Sequence, residues 1–197
     1  MSQLIEAMSD LDLLALMLGS KTAERMLHHA GGRLSTLLNE SQAACEPEPK
    51  IKLKLLVAKE LVRRSLMEVM GQRDVLSSPA SVRDYLRMTL AGRDYEVFMV
   101  LFLDAQNRVI EAEEMFRGTL TQTSVYPREV VKRSLVMNAA AVIFAHNHPS
   151  GVGEPSRADE LLTQSLKQAL ALVDVKVLDH FVVAGSGVMS FAERGLL

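Results

Sequence analysis

The spacing of apolar residues changes near residue 92 of this 197-residue chain, and this change constrains the fold more than any other sequence feature. Before it, apolar residues recur every three or four positions, as they do on one face of a helix. After it, dense β-branched and aromatic runs at residues 95–104 and 140–145 indicate buried strands. Helical segments that begin at Pro127 and Ser156 separate the later strands. We therefore expect a mixed α/β or α+β domain, preceded by a small helical leader.

Breaks in the pattern divide the chain into three parts. Residues 1–70 are predicted to form the helical leader, in which Ser9 caps the first helix. The polar stretch at residues 71–78 is predicted to be a linker. A domain over residues 79–197 follows, and it opens with a helix because Ser78 supplies an N-cap and Pro79 a favourable first residue.

Strands and one further helix are predicted after the opening helix of this domain. The run at 95–104, the turn at 105–107 and an extended run to Glu114 indicate a β-hairpin. The helix that begins at Pro127 is expected to end near Asn138. Three short strands are predicted near the end of the chain, at residues 175–178, 181–184 and 188–191.

Composition excludes several classes of protein. The chain has 22 Lys and Arg against 24 Asp and Glu, a net charge of −2, which is far from that of a basic nucleic-acid binder. A single cysteine, Cys45, excludes an internal disulfide and a cysteine-rich zinc cluster. No apolar run approaches the roughly 20 residues of a membrane span, and no secretory signal is visible, so we expect a cytoplasmic protein without a membrane partner.

A metal site is predicted from the spacing of three polar residues. In an extended backbone, residues i and i+2 point to the same side, so His146 and His148 can direct two imidazoles at one point. Asp159 follows in the first turn of a predicted helix and can face back across the intervening loop. Zinc in catalytic sites takes three protein ligands and leaves the fourth position for water. The spacing therefore favours an open, hydrolytic metal centre.

Each part of this pattern also has an ordinary structural explanation. Ser156 and Asp159, spaced Ser-x-x-Asp, match an N-terminal helix cap. An isolated histidine is usually a plain polar residue, which is how we read His28, His29 and His180. The two histidines, the serine and the aspartate in this order are together much more specific for a metal site than any one of them alone.

The combined pattern resembles the metal motif of the JAB/MPN metallohydrolases, also called JAMM proteins. Residues 146–151, His-Asn-His-Pro-Ser-Gly, resemble the RadC-like branch of that family, as do residues 117–120, 126–131 and 179–180. The resemblance is close over residues 75–197. It implies a JAB/MPN-like mixed β-sheet flanked by helices, with one Zn²⁺ per chain bound by His146, His148 and Asp159.

The resemblance also implies an activity and two catalytic residues. Activity would be hydrolysis of a peptide or isopeptide bond in a protein or peptide substrate. Ser156 would donate a hydrogen bond to the developing oxyanion. A glutamate upstream of the metal motif would carry the proton, and Glu96 matches the family position at the start of a buried strand. The remaining candidates are Glu129, as runner-up, and Glu111, Glu113 and Glu114.

The resemblance also raises an alternative function, because RadC-like proteins carry a DNA-repair label. In this alternative the chain is a DNA-associated repair or recombination accessory protein, and its metal domain has a regulatory or structural role. The leader resembles the family's helix-hairpin-helix leader only weakly, since residues 45–50 lack the glycine-bearing turn that would cradle a phosphate. A weak nucleic-acid contact remains possible through a basic stretch with a net charge of +5 over residues 50–64. The basic residues of this stretch are Lys50, Lys52, Lys54, Lys59, Arg63 and Arg64.

Two further readings are disfavoured. The letters His146-Asn147-His148 match the name of the His-Asn-His nucleases, but those enzymes spread their motif over a hairpin and a helix. A non-catalytic MPN scaffold is disfavoured because His146, His148, Asp159 and Glu96 are all intact.

Overall fold

A computed structural model describes residues 5–34, 37, 48–118 and 124–197. Chain contacts divide the protein into two compact units, residues 1–62 and 63–197. The predicted division into 1–70, 71–78 and 79–197 stays a prediction. None of the helices within the described ranges combines the length and apolar character that a membrane crossing requires.

The first unit is helical in its described residues. Helix α1 (Asp10–Leu18) begins after Ser9, whose hydroxyl accepts from the Asp12 backbone N–H in a capping box. Helix α2 (Ser20–His29) follows directly, because Gly19 adopts a positive φ of 85° that turns the chain. The unit also holds the first part of α3 (Pro49–Gln72). Its core is formed by the apolar side chains of Leu14, Ala23, Met26 and Leu55.

Two predictions about the leader fall largely outside the described residues. The third short helix, predicted over residues 34–38, includes residues 35, 36 and 38, which are not described. Cys45 and the next two residues of the segment at 45–50 are not described either.

The second unit contains a five-stranded mixed sheet with helices on both faces. After the end of α3 come a 3₁₀ turn (Val75–Ser77) and the helix α4 (Pro79–Leu90). The remaining elements in chain order are β1 (Val97–Leu103), β2 (Val109–Arg117), α5 (Pro127–Val136), β3 (Ala141–Asn147), α6 (Arg157–Ala171), β4 (Lys176–Ala184) and β5 (Gly187–Ser190). The fold confirms the predicted class, a mixed α+β domain with a helical region before it.

The strand order is β2-β1-β3-β4-β5, and β3 with β4 is the parallel pair. Strand β1 runs antiparallel to both β2 and β3. Helix α6 makes the crossover between the parallel strands, as a parallel connection requires. The carboxyl end of β3 and the beginning of α6 therefore share one edge of the sheet.

Side-chain alternation sends odd and even residues of the central strands to opposite faces. Odd residues such as Met99 and Ile143 join a core with α4. Even residues such as Val100 and Phe144 join a second core with α5 and α6. Both faces of β1 and β3 are buried, so their sequences are continuously apolar rather than alternating.

Two local features differ from the sequence reading. Residues 71–78, predicted as a linker, include the end of α3 at Gln72 and a 3₁₀ turn in which Val75 is buried, at 3% exposed. The segments at 175–178 and 181–184 form one continuous strand, β4, although polar Asp179 and His180 stand in its middle. Those side chains are tolerated because other residues satisfy their polar atoms, as described below.

Candidate metal centre

The two motif histidines lie at the carboxyl end of β3. His146 is inside the strand, on the face that packs against α6, and is 1% exposed. His148 follows the strand, and its backbone N–H donates to Val183 O of β4 at 2.9 Å. A tight turn then returns the chain, with Gly151 N donating to His148 O at 3.0 Å and Gly151 at a φ of 77°. The strand end thus holds the backbone of both histidines.

The ligand atoms of His146, His148 and Asp159 converge on one point. The two Nε2 atoms lie 2.9 Å apart. Asp159 Oδ1 lies 3.4 Å from His146 Nε2, and Oδ2 lies 3.6 Å from His148 Nε2. A tetrahedral zinc with bonds of roughly 2.0–2.1 Å separates its ligand atoms by about 3.3 Å. The donor set therefore fits a small divalent cation in both chemistry and spacing.

Asp159 is held at the site by the first turn of α6. Ser156 caps this helix in a capping box: its hydroxyl accepts from Asp159 N at 3.2 Å, and its backbone N–H donates to Asp159 Oδ2 at 2.7 Å. Burial alone would raise the pKa of Asp159, but the neighbouring imidazoles of His146 and His148 and the hydroxyl of Ser156 outweigh it and hold the pKa well below its usual range. The carboxylate is therefore ionised and ready to bind a cation.

His148 is oriented by a backbone carbonyl. Its Nδ1 lies 2.7 Å from Val152 O, and because a carbonyl only accepts, Nδ1 carries a hydrogen and donates it. In the neutral ring, Nε2 then keeps its lone pair toward His146 and Asp159. The hydrogen bond to Asp159 raises the pKa of His148, and the bond to Val152 and the charge of Glu96 act in the same direction. The carboxylates of Asp159 and Glu96 therefore favour a positive charge at this position.

His146 makes its second contact with a residue that the sequence reading set aside. His146 Nδ1 lies 2.8 Å from Nε2 of His180, and His180 Nδ1 lies 2.6 Å from Thr163 Oγ1. Burial lowers the pKa of His180 well below its ordinary value, and the neighbouring His146 adds to this effect. His180 is thus a buried partner of a candidate ligand, not a plain surface polar residue. The available signal was the resemblance of residues 179–180 to the RadC-like branch.

Glu96 lies beside the site. In the antiparallel pairing of β1 with β3, Phe98 is opposite His146, and Glu96 precedes Phe98 by two residues. The influence of Glu96 on the pKa of His148 is a consequence of this proximity. Its side chain is partly exposed, so it borders both the candidate ligands and solvent. The assignment of Glu96 as proton carrier stays a prediction.

Asn147 holds the backbone on both sides of Glu96, and the sequence reading did not foresee this role. It is 3% exposed, its Oδ1 accepts from Val97 N at 2.8 Å, and its Nδ2 donates to Tyr95 O at 3.0 Å. As an odd residue of β3 it faces away from His146. The amide therefore forms hydrogen bonds with the neighbouring backbone and does not act together with the two histidines. This arrangement argues against a His-Asn-His nuclease.

The other candidate glutamates are occupied elsewhere. Glu129 faces Lys132 and Arg128 at 3.9 and 3.5 Å on α5. Glu113 pairs with Arg133, and Glu114 pairs with Arg93 at 2.7 Å. Glu111 accepts from the N–H of Ala112, the next residue along β2.

Ser156 caps helix α6 and also lies beside the candidate metal ligand Asp159. Its side chain is exposed, and its hydroxyl donates to Asp159 Oδ2 at 2.7 Å. The capping explanation is therefore correct, and the same geometry places the hydroxyl next to a candidate ligand. Its role toward an oxyanion stays a prediction.

Comparison with known proteins agrees with the fold and the candidate site. The family model of the RadC-like JAB domain matches residues 76–196. A UPF0758 protein of Dechloromonas aromatica is 56% identical over 204 residues, covering 97% of this chain and 90% of the relative. A UPF0758 protein of Leptothrix cholodnii is 55% identical with similar coverage, 97% and 91%. A third, from Nitrosospira multiformis, is 64% identical over 138 residues, which is 70% of this chain and 62% of the relative.

The matches place the chain in a class of domains and in one family of that class. The class is that of domains with a metal-dependent hydrolase-like fold. The chain belongs to the RadC-like JAB domain family. The names of its relatives specify no activity.

Proposed function

We propose that the protein is a zinc-dependent hydrolase that cleaves a peptide or isopeptide bond in a protein or peptide substrate. The observation that carries this proposal is the convergence of two imidazole nitrogens and one carboxylate within 2.9–3.6 Å at the carboxyl end of β3. Three protein ligands of these types are typical of catalytic zinc, which keeps one position open. We expect one Zn²⁺ per chain.

Zinc in such a site acidifies a water molecule to a pKa of about 7 and polarises a carbonyl oxygen. The protein's own residues must then move the proton and stabilise charge. Glu96 is placed to accept a proton on its carboxylate and to return it to the leaving nitrogen of the substrate. Its place two residues before Phe98, the residue opposite His146, supports this role, and its partly exposed side chain leaves room for a substrate.

Ser156 supplies the second catalytic group of the proposal. Its hydroxyl donates to Asp159 here, and the exposed position allows the O–H to rotate toward a substrate oxygen. A donor aimed at a developing oxyanion typically contributes a factor of about 10²–10³ in rate. The backbone N–H of Ser156 continues to hold Asp159 when the hydroxyl turns away.

A comparison of Glu96→Gln with Glu129→Gln tests the proposal. Glutamine keeps the size of the side chain but cannot carry a proton, so Glu96→Gln should abolish cleavage while zinc is retained. Glu129→Gln, in a glutamate that faces Lys132 and Arg128, should cleave like the wild type. Zinc-loaded proteins are incubated with a peptide library made from a proteome digest, and new termini are identified by mass spectrometry.

Two results would overturn the proposal. One is the absence of termini that appear in the wild type but not in Glu96→Gln. The other is cleavage by Glu96→Gln at the wild-type rate, which would remove Glu96 from the chemistry.

A further inference from the structure

His180 is a polar residue enclosed by aromatic rings. It is 0% exposed, it stacks on Phe191 with ring centroids 4.7 Å apart, and it meets Phe98 and Phe144 edge-on at 5.6 and 5.8 Å. Burying an imidazole in such surroundings is costly unless its nitrogens are hydrogen-bonded. Both nitrogens are bonded, one to His146 and the other to Thr163.

The direction of these hydrogen bonds is set by a backbone carbonyl. Thr163 lies one turn after Asp159 in α6, and its Oγ1 lies 2.6 Å from Asp159 O. A carbonyl only accepts, so the single hydroxyl hydrogen of Thr163 is donated to it. Toward His180 the same oxygen can then only accept. Nδ1 of His180 must therefore carry a hydrogen.

The position of the hydrogen on His180 also determines which atom donates in its hydrogen bond with His146. An uncharged imidazole, the form favoured by burial among aromatic rings, carries one hydrogen. With that hydrogen on Nδ1, Nε2 of His180 presents a lone pair to Nδ1 of His146, which must donate. In neutral His146 the remaining nitrogen, Nε2, is left with its lone pair, and this is the atom that faces His148 and Asp159.

We propose that Thr163 and His180 are positioning residues that fix the tautomer of His146, so that its Nε2 lone pair is directed at the metal. The inference rests on the metal site proposed above. Without Thr163, His180 can reverse and donate from Nε2, which places the hydrogen of His146 on Nε2 and blocks a ligand atom. Partners of metal-binding histidines typically contribute a factor of about 10–100 in metal affinity.

The chain offers a matched control for a threonine substitution. Thr89 in α4 is buried, and its Oγ1 donates to Tyr85 O at 2.8 Å, four residues back, as Thr163 does to Asp159. It packs on the opposite face of the sheet, away from the metal ligands. Thr89→Val therefore measures the general cost of removing such a hydroxyl. Thr163→Val additionally breaks the chain of hydrogen bonds from Thr163 through His180 to His146, called the relay below.

Zinc affinity of the full-length variants is measured by competition with a chromophoric chelator. Thr163→Val should bind zinc about tenfold to a hundredfold more weakly than the wild type. Thr163→Ser, which keeps the hydroxyl, and Thr89→Val should bind like the wild type. Wild-type affinity in Thr163→Val would overturn the relay while leaving the metal site in place.

A second measurement needs no zinc and determines the tautomer in the wild type itself. Imidazole ¹⁵N NMR of the metal-free wild type, assigned by the signals lost in His146→Ala, reports which nitrogen of His146 carries the hydrogen. The relay predicts Nδ1–H with an unprotonated Nε2. A hydrogen on Nε2 in the wild type would contradict the relay. Failure of the wild type to bind zinc, with this tautomer present, would contradict the proposed function and leave the relay standing.

Discussion

The Nε2 atoms of His146 and His148 lie 2.9 Å apart, although the first is buried in a strand and the second lies beyond its end. Two imidazole nitrogens at this distance need a proton or a cation between them, because two lone pairs repel. Asp159 completes the group from the neighbouring helix. Strand β3 and helix α6 thus bring the three candidate ligands together.

Asn147→Ala should reduce both stability and hydrolysis without removing the metal. The substitution leaves the Val97 N–H and the Tyr95 carbonyl without their partner in a buried place, at a cost of about 2–4 kcal/mol. The backbone beside Glu96 then loses its attachment to β3, so cleavage should fall. Chemical denaturation, zinc content and cleavage of the peptide library measure the three effects.

Gln164→Ala, at an exposed residue of α6, is the control for this variant and should behave like the wild type. A stable Asn147→Ala protein with wild-type activity would show that Asn147 does not position Glu96.

Much of this arrangement was predictable from local sequence. The starts of α4, α5 and α6 follow from Pro79, Pro127 and the cap Ser156. The approach of His146 to His148 follows from the alternation of side chains in an extended backbone. These features depend on residues close together in the chain, where propensity and periodicity are informative.

The parts that were missed depend on contacts between distant residues. Strand β4 continues through Asp179 and His180 because partners elsewhere in the chain satisfy them, and no local pattern reveals those partners. Likewise, Val75 is buried against a sheet whose strands come later in the sequence. His180 was set aside as a plain polar residue for the same reason.

Asp179→Asn should alter how the stability of the metal-free protein depends on pH. Burial raises the pKa of Asp179, against the effect of hydrogen bonds from Ser190, Ala192 N and His180 N. A carboxyl group with a raised pKa in the folded state is penalised when ionised, and this penalty disappears as the pH falls through the folded pKa. The wild type should therefore gain stability relative to Asp179→Asn on acidification.

Denaturant unfolding of both proteins between pH 7 and pH 4 measures this difference. A stability difference that stays constant over that range would show that the environment of Asp179 does not penalise its charge.

We expect at most weak, salt-sensitive DNA binding by the basic stretch of α3. Lys50 and Lys52 are exposed, whereas Lys54 donates to Met17 O at 2.9 Å and holds the leader together. Replacing Lys50 and Lys52 by Glu should weaken the binding of a DNA duplex at low salt, because fewer counterions are released. Lys176→Glu, an exposed lysine of the second unit, is the control.

Fluorescence anisotropy of a labelled duplex at low and moderate salt measures this binding. Tight binding that persists at moderate salt, or equal loss in Lys176→Glu, would place the DNA contact elsewhere.

Metal analysis of the full-length protein, purified without chelators or a histidine tag, tests the central claim most directly. The wild type should contain about one zinc per chain, and His148→Ala and Asp159→Ala should lose it. His29→Ala, at an exposed histidine of the leader, should keep it. A wild-type protein that contains no zinc and does not take up added zinc would contradict the proposed metal centre, as would full zinc content in both ligand variants.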